Sequence, residues 1–139
     1  MLSLFQKKER NIIGFEDIKY VIENPRNYLL INTLNIDEQS ILIKNTINVK
    51  EEESVINNIL TNYNIPDKPI IIYGKNSGDN SVERKYDQII NFGLKDVFIY
   101  YGGLFEWLLL NELYGFDEFP LNENHTNIDI LKYRCIKTI

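Results

Sequence analysis

The sequence predicts an α/β fold, with a central, mainly parallel sheet of about five strands and helices on both faces. Three observations carry this. The runs at Leu29–Asn32, Ile70–Tyr73 and Val97–Tyr100 are short and apolar without strict alternation, the pattern of strands buried on both faces. The stretches between them place apolar residues at helical spacing. Strand and helix patterns alternate along the chain, as they do where parallel strands are joined by crossover helices. The 139 residues are read as one domain, with a core over about residues 12–115 and an extension, 116–139, packed on it.

Taken in order, residues 1–11 are polar and basic after a few apolar positions and read as a terminal arm. Ile12 and Ile13 suit a short edge strand. Residues 14–23 place Phe15, Ile18, Val21 and Ile22 on one helical face, and Asn24-Pro25 stops that helix. The first continuous apolar run follows and ends in Asn32. Residues 51–63 form a second amphipathic helix, with Val55, Ile56, Ile59, Leu60 and Tyr63 as its stripe. Glu51, Glu52 and Glu53 crowd its first turn, where the helix dipole favours carboxylates; they read as a solvated helix start and not as a metal site. Residues 65–69 connect to the central strand at Ile70–Tyr73. Gly74, Lys75, Asn76, Ser77, Gly78, Asp79, Asn80 and Ser81 then form a dense turn cluster. Ser81 is placed to cap a helix over 81–92, and Gly93 to terminate it in a left-handed conformation. After Val97–Tyr100, Gly102-Gly103 permits a tight turn into an apolar helix containing Leu104, Phe105, Trp107, Leu108 and Leu109. Trp107 reads as core. Gly115 ends this helix, and Phe119, Leu121, Ile128, Ile130, Leu131 and Tyr133 suit a tail packed on the domain as a strand or added helix.

Ligands of such sheets gather beyond the carboxyl ends of the strands. The 74–81 loop lies there and opens a helix, whose N-terminal N–H groups and dipole favour an anion. Any small-ligand chemistry is expected at this loop.

The central strand, the glycine-bearing loop ending in Gly78-x-x-Ser81, the following amphipathic helix, Val97–Tyr100 and Gly102-Gly103-x-x-x-Trp107 together resemble the rhodanese family over residues 14–115. The resemblance implies a rhodanese-like fold. It also implies that loop amides point toward a cysteine sulfur at the head of the loop, the position that Gly74 holds here. Asn32 and Leu34 stand where active members usually carry Asp and Arg, and residues 42–48 lack the family's His and Gly. Asn32 and Asn48 are read as satisfying loop backbone groups. The loop is one residue longer than the usual sulfurtransferase loop, a length that resembles related phosphatases and arsenate reductases. Asn80 stands near the Arg those enzymes use.

Persulfide chemistry requires a sulfur nucleophile, and Gly74 offers none, so sulfur transfer by the family route is not expected and no catalytic residue is assigned. Cys135, far along the tail, reads as a bystander, and His125 as solvent-exposed. A cysteine introduced at position 74 is expected to find a ring of amides and a depressed pKa.

Composition narrows the field. A net charge of −5 and a pI near 4.9 argue against nucleic-acid and anionic-membrane binding. One cysteine and one histidine provide neither an internal disulfide nor a zinc cluster, so no metal and no cofactor is expected. The absence of a secretory segment or a long apolar run suggests a cytoplasmic, reduced setting. Three readings remain open: a non-catalytic rhodanese-like module that binds a protein partner or regulates an assembly, a small-oxyanion (phosphate or sulfate) binder using the 74–81 loop, and a sulfurtransferase-related enzyme with an unorthodox nucleophile, Cys135.

Overall fold

The structure, a computed structural model, describes residues 9–62 and 68–136. The arm over residues 1–8, Tyr63, and residues 65–67 of the connector lie outside the described residues.

Four parallel strands form the sheet: β1 (Ile12–Ile13), β2 (Leu29–Asn32), β3 (Ile70–Tyr73) and β4 (Val97–Tyr100), in the order β1-β4-β3-β2. The three continuous apolar runs are therefore neighbours, with β3 between β2 and β4 and Ile72 beside both Ile31 and Ile99. Every residue of β2 and β3 is buried, which is why neither strand alternates apolar with polar. The expected fifth strand is reduced to an isolated antiparallel bridge between Ile43 and Leu121.

Helices α1 (Phe15–Glu23), α2 (Val49–Thr61), α3 (Ser81–Asn91) and α4 (Gly103–Tyr114) cover both faces. The pleat sorts strand residues between two cores. Leu30, Ile71, Tyr73 and Tyr100 pack with α1 and α4, whereas Leu29, Ile31, Ile72, Val97 and Ile99 pack with α2 and α3. Trp107 is fully buried, and its indole N–H donates to the Pro120 carbonyl at 3.0 Å. Its ring meets Phe119 edge-on at 5.1 Å, so the start of the tail is clamped to α4. The tail continues through buried Leu121 to a short 3-10 helix, Ile130–Tyr133, whose Tyr133 is buried while Leu131 is exposed. Leu109 on α4, expected in the core, is also exposed.

Glu52 departs from the expected solvated helix start: it is buried and ion-paired with Lys85 of α3. Gly93, at φ +100°, follows α3 as expected. Among the described residues no helix is long and apolar enough to cross a membrane.

Candidate functional site

The loop head and the start of α4 are built against each other. Gly74 is buried directly after β3, and its carbonyl accepts the Leu104 N–H at 2.9 Å. The Lys75 carbonyl accepts the Phe105 N–H, also at 2.9 Å. Gly103 makes this approach possible. It sits at φ +65°, and a Cβ on it would lie 2.7 Å from the Gly74 carbonyl oxygen and 3.1 Å from the Asn76 nitrogen. Two glycine-bearing segments distant in sequence thus form one junction at the carboxyl end of the sheet.

A carboxylate from within the loop occupies its concave side. Asp79 Oδ2 accepts the Lys75 N–H at 3.1 Å, and Oδ1 accepts the Ser81 N–H at 3.0 Å. Ser81 Oγ hydrogen-bonds the same carboxylate at 2.5 Å and Thr33 Oγ1 at 2.8 Å. Asp79, and not Ser81, therefore satisfies the start of α3; Ser81 is the first helical residue, and Asn80 before it makes no side-chain cap. Asn76 does similar work: its Oδ1 accepts the Gly78 N–H at 3.0 Å, while its Nδ2 donates to the Tyr133 carbonyl at 2.9 Å and ties the loop to the tail. Three of the amides expected to face an outside anion, those of Lys75, Gly78 and Ser81, are thus engaged by the loop's own side chains.

Position 74 has no room for a side chain. A Cβ there would lie 2.5 Å from Val82 Cγ2, 2.7 Å from Asp79 Oδ2 and 3.0 Å from Thr33 Oγ1. This corrects the expectation for a cysteine at 74: the obstacle is packing, since Gly74 is not among the positive-φ glycines, and the nearest charge is a carboxylate, which disfavours a thiolate.

Beyond the loop opens a cavity of about 430 Å³, lined by residues from the β2 end, the loop, α3 and the tail. Lys75 is held there by Glu38 at 2.9 Å and lies over the Tyr133 ring, 5.8 Å from its centroid. Arg84, Lys132 and Arg134 also line it. Cys135, read from the sequence as a bystander, stands beside the loop. It is half-buried and lines this cavity, and its sulfur rests against Gly78 so closely that a Cβ on Gly78 would run into Sγ. The tail therefore brings the one thiol of the chain to the loop from sixty-one positions beyond Gly74.

The remaining predicted residues divide plainly. Ser77 and Asn80 are exposed. Asn32 is buried, and its Oδ1 accepts from the Leu34 N–H at 3.0 Å and from Gln39 Nε2 at 2.7 Å; Asn48 Oδ1 accepts the Lys50 N–H at 2.9 Å and caps α2. Both serve the backbone as expected. His125 is half-buried and near Asn122 at 3.4 Å. Thr33, Glu38, Gln39 and Arg134 were missed. Thr33 was within reach of sequence reasoning, because it follows the carboxyl end of a buried strand; the others carry no local signal. Among the described residues no group of three or more His, Cys, Asp or Glu is placed to hold a metal.

A parallel α/β sheet with a strand-to-helix loop at its carboxyl end, closed by a glycine pair opening the next helix, defines a class of rhodanese-type folds. The rhodanese-like domain family model matches residues 22–110, and the chain belongs to that family. Solved structures agree on the fold. A Lactobacillus plantarum protein matches with a TM-score of 0.60 at 16% identity, covering 81% of this chain and 87% of its own. The BH2092 protein of Bacillus halodurans gives 0.58 at 17% identity, covering 73% of each chain. A Saccharomyces cerevisiae protein described as a single domain sulfurtransferase gives 0.53 at 18% identity, covering 78% of this chain and 97% of its own. A comparison with curated proteins finds no match.

Proposed function

We propose that this rhodanese-like domain acts as a non-catalytic protein-binding or regulatory module in the cytoplasm. The observation that carries the reading is the filled loop head. The residue after β3 is a glycine whose side-chain space is taken by Val82, Asp79 and Thr33, and the amides of Lys75 and Ser81 already bind the Asp79 carboxylate. A nucleophile is missing there, and the charge in its place is negative, opposite to what an anionic sulfur donor needs.

The surface such a module would offer is on α4. Leu109, Leu113, Tyr114 and Phe116 are exposed at one end of this helix. The sequence from Asp96 to Leu131 has no Lys or Arg and carries Glu112 and Asp117 around them, while Glu118 is paired with Lys19 of α1 at 2.8 Å. An apolar strip with an acidic surround suits a partner segment that is apolar and basic.

The position of Cys135 favours one second reading, an enzyme using that thiol. A single assay separates the two. Thiosulfate:cyanide sulfurtransferase activity is expected at the buffer blank for both the natural protein and Cys135→Ser. Turnover in the natural protein would overturn the non-catalytic reading, and its loss in Cys135→Ser would transfer the activity to Cys135. The docking surface is tested by Leu113→Asp, which should abolish capture of the partner polypeptide that the natural protein retains, with thermal stability unchanged.

A further inference from the structure

The cavity beside the loop combines two independent features: the only thiol in the chain and an excess of cations. Lys75 is neutralised by Glu38, and the Asp79 carboxylate is turned into the loop. Arg84, Lys132 and Arg134 remain around the opening. Arg134 donates to the Leu131 carbonyl at 2.7 Å and Lys132 lies 5.8 Å from the Tyr133 ring centroid; none of the three has a carboxylate within ion-pair distance among the described residues. In a chain of net charge −5 this is a locally positive concavity, and such concavities raise the local concentration of anions. Cys135 lies within it, against Gly78.

We propose that this cavity takes small anionic disulfides and that Cys135 exchanges with them to form a mixed disulfide. The Cys135 thiol loses its proton to solvent, and the thiolate attacks one sulfur of R–S–S–R. The Cys135–S–S–R bond forms as the original S–S bond breaks, and R–S⁻ leaves with the electron pair. One sulfur is oxidised, one is reduced, and the incoming disulfide is the only co-reactant. The arginines and the lysine select the carboxylate- or sulfonate-bearing reagent. This goes beyond the docking role and uses none of the α4 surface, so either can fail alone.

The test compares three small symmetric disulfides of similar intrinsic reactivity: 3,3′-dithiodipropionate (anionic), bis(2-hydroxyethyl) disulfide (neutral) and cystamine (cationic). Adduct formation on the whole protein is followed by intact mass. The reference is a linear peptide of residues 130–139, which keeps Lys132 and Arg134 as sequence neighbours of the thiol but has no cavity and no Arg84. The anionic-to-cationic rate ratio of the protein should exceed that of the peptide by about tenfold at low salt, within the range that focused charge supplies. It should fall toward the peptide value at high salt, and also in Arg84→Gln and in Arg84→Gln/Arg134→Gln. A ratio equal to the peptide's, a ratio unmoved by the double variant, or a folded protein inert to all three reagents would overturn the proposal.

Discussion

At the scale of single residues, two glycines decide whether the loop and α4 meet. Gly103 is excluded from bearing a side chain twice over, by φ +65° and by a backbone oxygen 2.7 Å from its Cβ position. Gly74 is excluded by packing alone, and its nearest obstacle, Val82 Cγ2, belongs to a side chain that is itself fully packed. Gly103→Ala should therefore cost more, about 2–4 kcal/mol from strain and backbone displacement together. Gly74→Ala should cost about 1–3 kcal/mol, the range for overpacking. Gly115→Ala, with φ +97° and nothing near its Cβ position, should show conformational strain alone, about 1 kcal/mol. Urea midpoints for the three variants give the order; a Gly103→Ala variant no weaker than Gly115→Ala would mean that the junction yields without cost. In Gly74→Cys the overpacking cost recurs, and the thiol beside Asp79 should alkylate no faster than Cys135.

At the scale of elements, β2, β3, β4 and the four helices were legible because each declares itself locally, by a continuous apolar run or by helical spacing. Gly93 and Gly115 were legible for the same reason. The role of Ser81 was misread because Ser and Asp stand two residues apart in the same turn, and sequence does not say which oxygen reaches which amide. Asp79 reached them. Its carboxylate accepts two backbone N–H groups and the Ser81 hydroxyl, so Asp79→Ala should destabilise the protein by about 2–3 kcal/mol, counting each charge-assisted bond at about 1.5 kcal/mol and allowing water to replace part of them. Emptying the loop also frees its amides. Sulfate should then raise the melting temperature of Asp79→Ala more than that of the natural protein at matched ionic strength. Equal responses would mean that the loop collapses once its internal carboxylate is gone.

At the scale of the whole molecule, the cavity was not legible because its walls come from segments far apart: Thr33 and Glu38, the 75–84 region, and Lys132 to Cys135. Local periodicity holds no information on where a tail returns, and this return depends on Trp107 holding Pro120 and on Asn76 holding the Tyr133 carbonyl. The same closed packing makes an alkaline limit to stability. Tyr73 and Tyr100 end adjacent central strands, and both phenols are pushed above the ordinary value of 10.0, chiefly by burial. Around Tyr73 this is partly offset by the hydrogen bond shared with the Thr46 hydroxyl and the one accepted from the Ile43 N–H, whereas at Tyr100 the Glu106 carboxylate adds to the rise. Folding therefore favours the protonated phenols. Their contribution is complete below about pH 10, where unfolded tyrosine is also protonated, and is lost as pH rises above that value because the unfolded chain releases protons that the folded one keeps. Each phenol fully engaged in this way removes about 1.4 kcal/mol per pH unit. The free energy of unfolding, extrapolated from urea melts between pH 8 and 11, should turn downward near pH 10. Tyr100→Phe, which keeps the ring against Trp107 and gives up only the bond to Glu106, should lower stability at pH 8 yet flatten the decline above pH 10. An unchanged slope in that variant would place the alkaline loss in Tyr73, whose buried phenol the substitution leaves in place, and not in Tyr100.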